Sequence, residues 1–282
     1  MRFLFLLGVC ILSLSTSWAQ GPLLGGLLSA GAWPSEFNLK QAWQIDMSLG
    51  SSDQNLITHK IDFSIVIVRD QNAKSASWHK LEVINQVKLL NEIYSDSCGI
   101  AVGIVRVYEL DTREEKYFSP ELNYFDYSSA REVTDVSLVH LVRALPVLQR
   151  PLVLLTEDFR NGRGAHGVAY PKQRVSRADA ALKSLESVVV IPYFRFHNKV
   201  DSQIKDVNLM TMAHEVTHVV YNCGHNSIPG NLMYNAIEGQ GLNLNPQQCV
   251  RMKQYSGVQP LSSEMHSRDV GVRGVCIPDE MR

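Results

Sequence analysis

His214, Glu215 and His218 stand in the order His-Glu-Val-Thr-His, and His225 follows seven residues after the second histidine. On a helix, residues four apart lie one above the other, so His214 and His218 can turn both imidazoles toward one metal ion. Glu215 is one step round from His214, where its carboxylate can reach a water on that ion. A catalytic zinc takes three protein ligands and keeps its fourth position for water. His225 supplies the third ligand if the chain turns back after the helix. Such a set supports hydrolysis: zinc polarises a carbonyl and acidifies water, and the glutamate moves the proton.

The helix that carries these residues must be held still. Leu209, Met212, Ala213, Val216, Val220 and Cys223 recur at helical spacing away from the histidines, which gives it a face to bury. A plain core helix with two incidental histidines has the same apolar face. It has no use for the glutamate between them or for the third histidine behind.

The run from His225 to Tyr234 follows, with Met233 in a stretch rich in turn residues: Asn226, Pro229, Gly230 and Asn231. Together with His214-Glu215-Val216-Thr217-His218 it resembles the metzincin metalloproteases, the matrix metalloproteinases most of all. That resemblance implies His214, His218 and His225 as zinc ligands, Glu215 as general base and Met233 as the methionine beneath the metal. It also implies a protein or peptide substrate. One departure stands out. The family pattern H-E-x-x-H-x-x-G-x-x-H puts five residues between its second and third histidines, whereas Val219 to Gly224 makes six here. The family glycine falls at Tyr221, which cannot readily turn left-handed. Asn222 tolerates positive φ and Gly224 takes it freely, so the turn is expected one or two residues later.

Elements that could position such a site are legible on either side. Asp62 to Val68 is dominated by β-branched residues and reads as a strand. Trp78 to Tyr94 reads as a helix stopped by Gly99, and Ile100 to Leu110 as a second strand. A helix is expected over 129–145, ended by Pro146, with short strands at Leu152 to Thr156 and Val188 to Tyr193. Asn245 and Pro246 open a helix running to about Tyr255. This order gives an α/β (α+β) fold with a mixed sheet. The resemblance implies a metzincin-like form of it: a mixed twisted sheet with packed helices above a cleft, and a small irregular, helix-containing C-terminal subdomain below. Arg163 to Pro171 is similar to the edge strand that in this family pairs with an extended substrate. A plain glycine-rich loop is an equal reading, and His166 within it is left outside the site.

The domain boundaries follow. Residues 1–19 read as a signal peptide, with Arg2, an apolar run from Phe3 to Leu14, and small residues at Ser17 and Ala19. The apolar run is shorter than the roughly 20 residues a spanning helix needs. Residues 20–57 read as an N-terminal extension or pro-segment with little regular structure, and 58–282 as the zinc protease domain, upper part about 58–222 and lower part about 223–282. Removing the signal leaves Cys98, Cys223, Cys249 and Cys276, an even number that in an exported chain suggests two disulfides. The expected pairing is Cys223–Cys249 and Cys98–Cys276. A secreted or periplasmic location follows, with no membrane attachment after cleavage.

Composition narrows the field further. At 45% apolar and 20% charged the chain is ordinary for a globular protein. A net charge of −1, with no basic cluster, gives no footprint for nucleic acid. A monomer is expected. Rival readings are a zinc site completed by Glu238 or Glu264, a non-catalytic zinc-stabilised binding module, and a zinc hydrolase acting on cell-wall peptides. Glu215 weighs against the binding module, since a purely structural site has no work for that acid.

Overall fold

The run Phe63 to Val68 is buried at every position, as expected for a strand covered on both faces. In the computed structural model it lies within β2 (His59–Arg69), at the centre of the molecule. The structure describes residues 38–47, 56–69, 78–111, 124–126, 131–133, 136–156, 167–177, 180–192, 204–234 and 240–261. Residues 1–19, read above as a signal peptide, and Arg163 to His166, Glu238, Glu264 and Cys276 lie outside them.

β2 is flanked by parallel strands β3 (Ile100–Asp111) and β6 (Leu152–Thr156), and β6 by parallel β8 (Val188–Pro192). Antiparallel strands close both ends: β1 (Asn38–Asp46) on β3, and β7 (Val168–Tyr170) on β8. β9 (Val258–Pro260) pairs antiparallel with the start of β2. The result is a seven-stranded mixed sheet in the order β1-β3-β2-β6-β8-β7, with β9 beside β2. A separate ribbon joins β4 (Tyr124–Asp126) and β5 (Arg131–Val133). The fold is therefore α/β with a mixed sheet, as the element order implied.

Helix α1 (Lys80–Cys98) stops where Gly99 turns left-handed, φ 63°, and donates its N–H back to the Ser95 carbonyl. The chain then enters β3 directly. The short helices α2 (Val136–Ala144) and α3 (Lys172–Arg177) precede α4 (Ile204–Tyr221), which carries the histidines, and α5 (Pro246–Lys253) follows it, ahead of β9. Ile61, Phe63, Ile65 and Ile67 of β2 share one core with Val83, Val87 and Leu90 of α1 and Met212, Val216 and Val220 of α4. The alternate β2 residues Ser64, Val66 and Val68 point to the opposite face and are buried too. Among the described residues, no helix is long and apolar enough to cross a membrane.

Three expectations need correction. Asn38–Asp46, assigned to the extension 20–57, is an edge strand of the main sheet. Its pattern is weak because only one face is covered, and a bulge between Gln41 and Trp43 breaks the alternation. The helix expected over 129–145 begins only at Val136, since Arg131–Val133 is spent as a strand against Tyr124–Asp126. The third concerns the disulfides. Cys98, at the end of α1, is bonded to Cys249 on α5, with Cα atoms 5.0 Å apart. Cys223 is disulfide-bonded as well, and not to Cys249. Neither expected pair forms, because Cys98 and Cys249, one from each, are bonded to each other.

The Cys98–Cys249 bond closes a loop spanning 151 positions. Chain entropy gives such a closure an upper estimate of about 5 kcal/mol, of which native disulfides typically deliver roughly 2–4. The double variant Cys98→Ala/Cys249→Ala is expected to lose about that much in denaturant unfolding. Peptide mapping without reductant should recover a fragment joining Cys98 to Cys249. A fragment joining Cys223 to Cys249 would refute the connectivity.

Candidate metal centre

α4 turns the side chains of His214, Glu215 and His218 inward, and all three are at most 9% exposed. Its rotation is fixed from behind. The Thr217 hydroxyl donates to the Ala213 carbonyl at 2.6 Å and meets the Tyr94 hydroxyl of α1 at 3.0 Å. Burial pushes the Tyr94 phenol well above its ordinary pKa, so it stays a neutral donor to Thr217.

The helix ends at Tyr221, and Asn222 takes the left-handed conformation with φ 54°. The reversal falls at Asn222, one of the two positions at which it was expected. The Asn222 side chain accepts the backbone N–H of Gln173 in α3 at 2.7 Å, which holds the turn in place. The chain doubles back, and Asn226 N–H donates to the Met233 carbonyl at 2.7 Å. That bond ties the residue beside His225 to the methionine turn below.

His225 therefore arrives beside the helix pair. The Nε2 atom of His214 lies 3.1 Å from that of His218 and 3.1 Å from that of His225. The His218 ring stands nearly perpendicular to the other two, at 85° and 84°. These three form a group able to hold a metal ion, their ligand atoms all within 4.8 Å of one another. Glu238 and Glu264, the alternative third ligands, fall outside the described residues.

The tautomers follow from the partners. His214 Nδ1 lies 2.7 Å from the Leu232 carbonyl, and His218 Nδ1 lies 2.9 Å from the Cys223 carbonyl. A carbonyl only accepts, so each Nδ1 carries the proton. In the neutral ring each Nε2 is then a bare lone pair, aimed at the other. Facing lone pairs repel unless a cation sits between them. The edge of a tetrahedron around zinc, with Zn–N of about 2.0–2.1 Å, is roughly 3.3 Å. The observed 3.1 Å spacings fit that edge, and Nδ1 bonded to carbonyl oxygen is the usual orienting partner of a metal-binding imidazole. The donor set suits zinc.

Beneath the histidines, Leu232 and Met233 are fully buried. Their turn is held by an amide pair that the sequence did not disclose. Asn231 Nδ2 donates to Gln248 Oε1 at 2.8 Å, and Gln248 Nε2 donates to Asn231 Oδ1 at 3.1 Å. Asn231 Oδ1 also accepts the Met233 N–H at 2.9 Å and the Asn226 amide at 2.7 Å. Gln248 is at the same time the third helical residue of α5, in a capping box with Asn245. The Asn-Pro-Gln-Gln run signals the cap; nothing in it signals the partner on the methionine turn. One buried pair thus locks the carbonyl that orients His214 to the start of α5.

No family model matches the sequence, and no curated protein matches it. Among solved structures, the chain is similar to the crystal structure of archaemetzincin from Methanopyrus kandleri. The two are 13% identical, the match covers 69% of this chain and 95% of that one, and the TM-score is 0.42.

The amide pair is testable without any assay of function. Asn231→Ala leaves buried partners unsatisfied and is expected to cost roughly 1–3 kcal/mol. In a double-mutant cycle with Gln248→Ala, a coupling of about 0.5–3 kcal/mol is expected. Additive losses would mean that the two amides do not act together.

Proposed function

We propose that this protein is a secreted zinc-dependent endopeptidase of metzincin type, with His214, His218 and His225 as zinc ligands and Glu215 as general base. The observation that carries the reading is the convergence of three imidazole Nε2 atoms, two of them held by carbonyls as unprotonated donors. Glutamate in the position after the first ligand turns a binding site into a hydrolytic one. When bound, zinc supplies a Lewis acid that polarises the scissile carbonyl and lowers the pKa of water. Glu215 takes a proton from the attacking water and delivers it to the leaving amine. The three imidazoles bring no negative charge, so the cation keeps its full electrophilic strength.

The substrate proposal is a protein or peptide, bound as an extended strand along β7. Among the described residues β7 ends the sheet path, a position at which a peptide could join by strand addition. Tyr234 is half-buried beside the methionine turn, where it can shape the pocket for a substrate side chain. Export is proposed from the N-terminal sequence and agrees with disulfide-bonded Cys98, Cys249 and Cys223. The resemblance to matrix metalloproteinases concerns the motif, with the turn moved to Asn222. A non-catalytic binding module remains the rival from another class, and chelator-sensitive digestion of a peptide library separates the two.

Glu215→Gln is expected to reduce peptide hydrolysis by several orders of magnitude while zinc content stays at wild-type level. Full activity in that variant would remove Glu215 from the chemistry. His225→Ala is expected to weaken zinc binding at least about tenfold. Unchanged zinc affinity there would show that the third ligand lies elsewhere.

A further inference from the structure

Gly167 immediately precedes β7, and its backbone lies against the Glu215 side chain of α4. A β-carbon at this position would sit 2.6 Å from Glu215 Cγ, 3.0 Å from Cδ and 3.0 Å from Oε1. Carbon atoms not bonded to one another do not approach to 2.6 Å, so something would have to move. The backbone itself does not call for glycine, since φ of Gly167 lies outside the left-handed region. Gly230 is the opposite case, with φ 77° and open space around it. Glycine at 167 therefore answers a demand for space, and the atoms that claim the space belong to Glu215.

We propose that Gly167 is the positioning residue for the general base: its missing side chain is the seat in which the Glu215 carboxylate is held. The proposal rests on the peptidase reading and adds a residue to it. Neither wall of the seat yields easily. On one side, Ala169 and Tyr170 of β7 are buried, the Tyr170 carbonyl accepts the Ser187 N–H at 2.9 Å, and the Ala169 carbonyl accepts from Arg174 at 3.1 Å. On the other side, α4 is pinned through Thr217 to Tyr94. The Glu215 side chain is therefore what must give way. The closest atom is Cγ, whose place is set by χ1 alone. Relieving the clash turns χ1, and that swings the whole carboxylate away from its working position.

The test joins turnover with stability. In Gly167→Ala, kcat on a reporter peptide is expected to fall about 10- to 100-fold, with KM within about twofold and zinc content unchanged. The melting temperature should fall in the otherwise unmutated chain. In a Glu215→Ala background the same change should leave it level or raise it, because alanine at an ordinary φ is intrinsically favoured over glycine. Should Gly167→Ala fail to fold alone yet fold with Glu215→Ala, the contact is equally established. Wild-type kcat in Gly167→Ala, a rise in KM at unchanged kcat, or an equal loss of melting temperature in both backgrounds would each overturn the proposal. Failure of the peptidase reading registers separately, as absence of chelator-sensitive digestion by the unmutated chain.

Discussion

Two backbone carbonyls set the state of the histidine cluster. Leu232 and Cys223 each accept an imidazole Nδ1–H, and by doing so leave Nε2 of His214 and His218 as bare donors. Two such lone pairs 3.1 Å apart are a liability to a folded protein unless a cation rests between them. The arrangement would tie stability to metal binding, since any ion that bound the folded state alone would stabilise it by mass action. Much of the surrounding structure serves to keep those two carbonyls and the third imidazole in place.

That support comes from three directions. From above, Tyr94 of α1 fixes the roll of α4 through Thr217. From the side, Asn222 turns the chain toward His225 in the left-handed conformation, and α3 holds it there. From below, Asn231 and Gln248 join the methionine turn to α5, while the neighbouring Cys249 joins α5 to the end of α1. Covalent bond, amide pair and helix contact thus form a closed circuit around the histidines. A site built in this way is preorganised, so binding a metal requires little rearrangement.

The parts legible in the sequence were those written in period. The helix with its paired histidines and α1 with its glycine stop each followed the helical repeat, and β2, β3, β6 and β8 stood out as apolar, partly β-branched runs. What stayed hidden depended on contacts between distant segments. Leu39, Trp43 and Ile45 are too sparse to announce an edge strand, and the bulge near Ala42 hides what alternation exists. Four cysteines carry no pairing information until the fold places Cys98 next to Cys249. Gln248 looked like a cap and is one, yet its amide also spans to Asn231. The same holds for Gly167, whose meaning comes wholly from Glu215, 48 positions later in the chain.

Glycine is one way to reverse the chain after the second histidine; asparagine in the left-handed region, with its side chain bonded elsewhere, is another. The central claim can be examined at the metal itself. Zinc-edge X-ray absorption on the purified protein is predicted to show one zinc per chain, with three imidazole nitrogens and one oxygen at about 2.0–2.1 Å. A first shell containing sulfur, a shell with only two imidazoles, or protein that takes up no zinc when it is supplied would contradict the account.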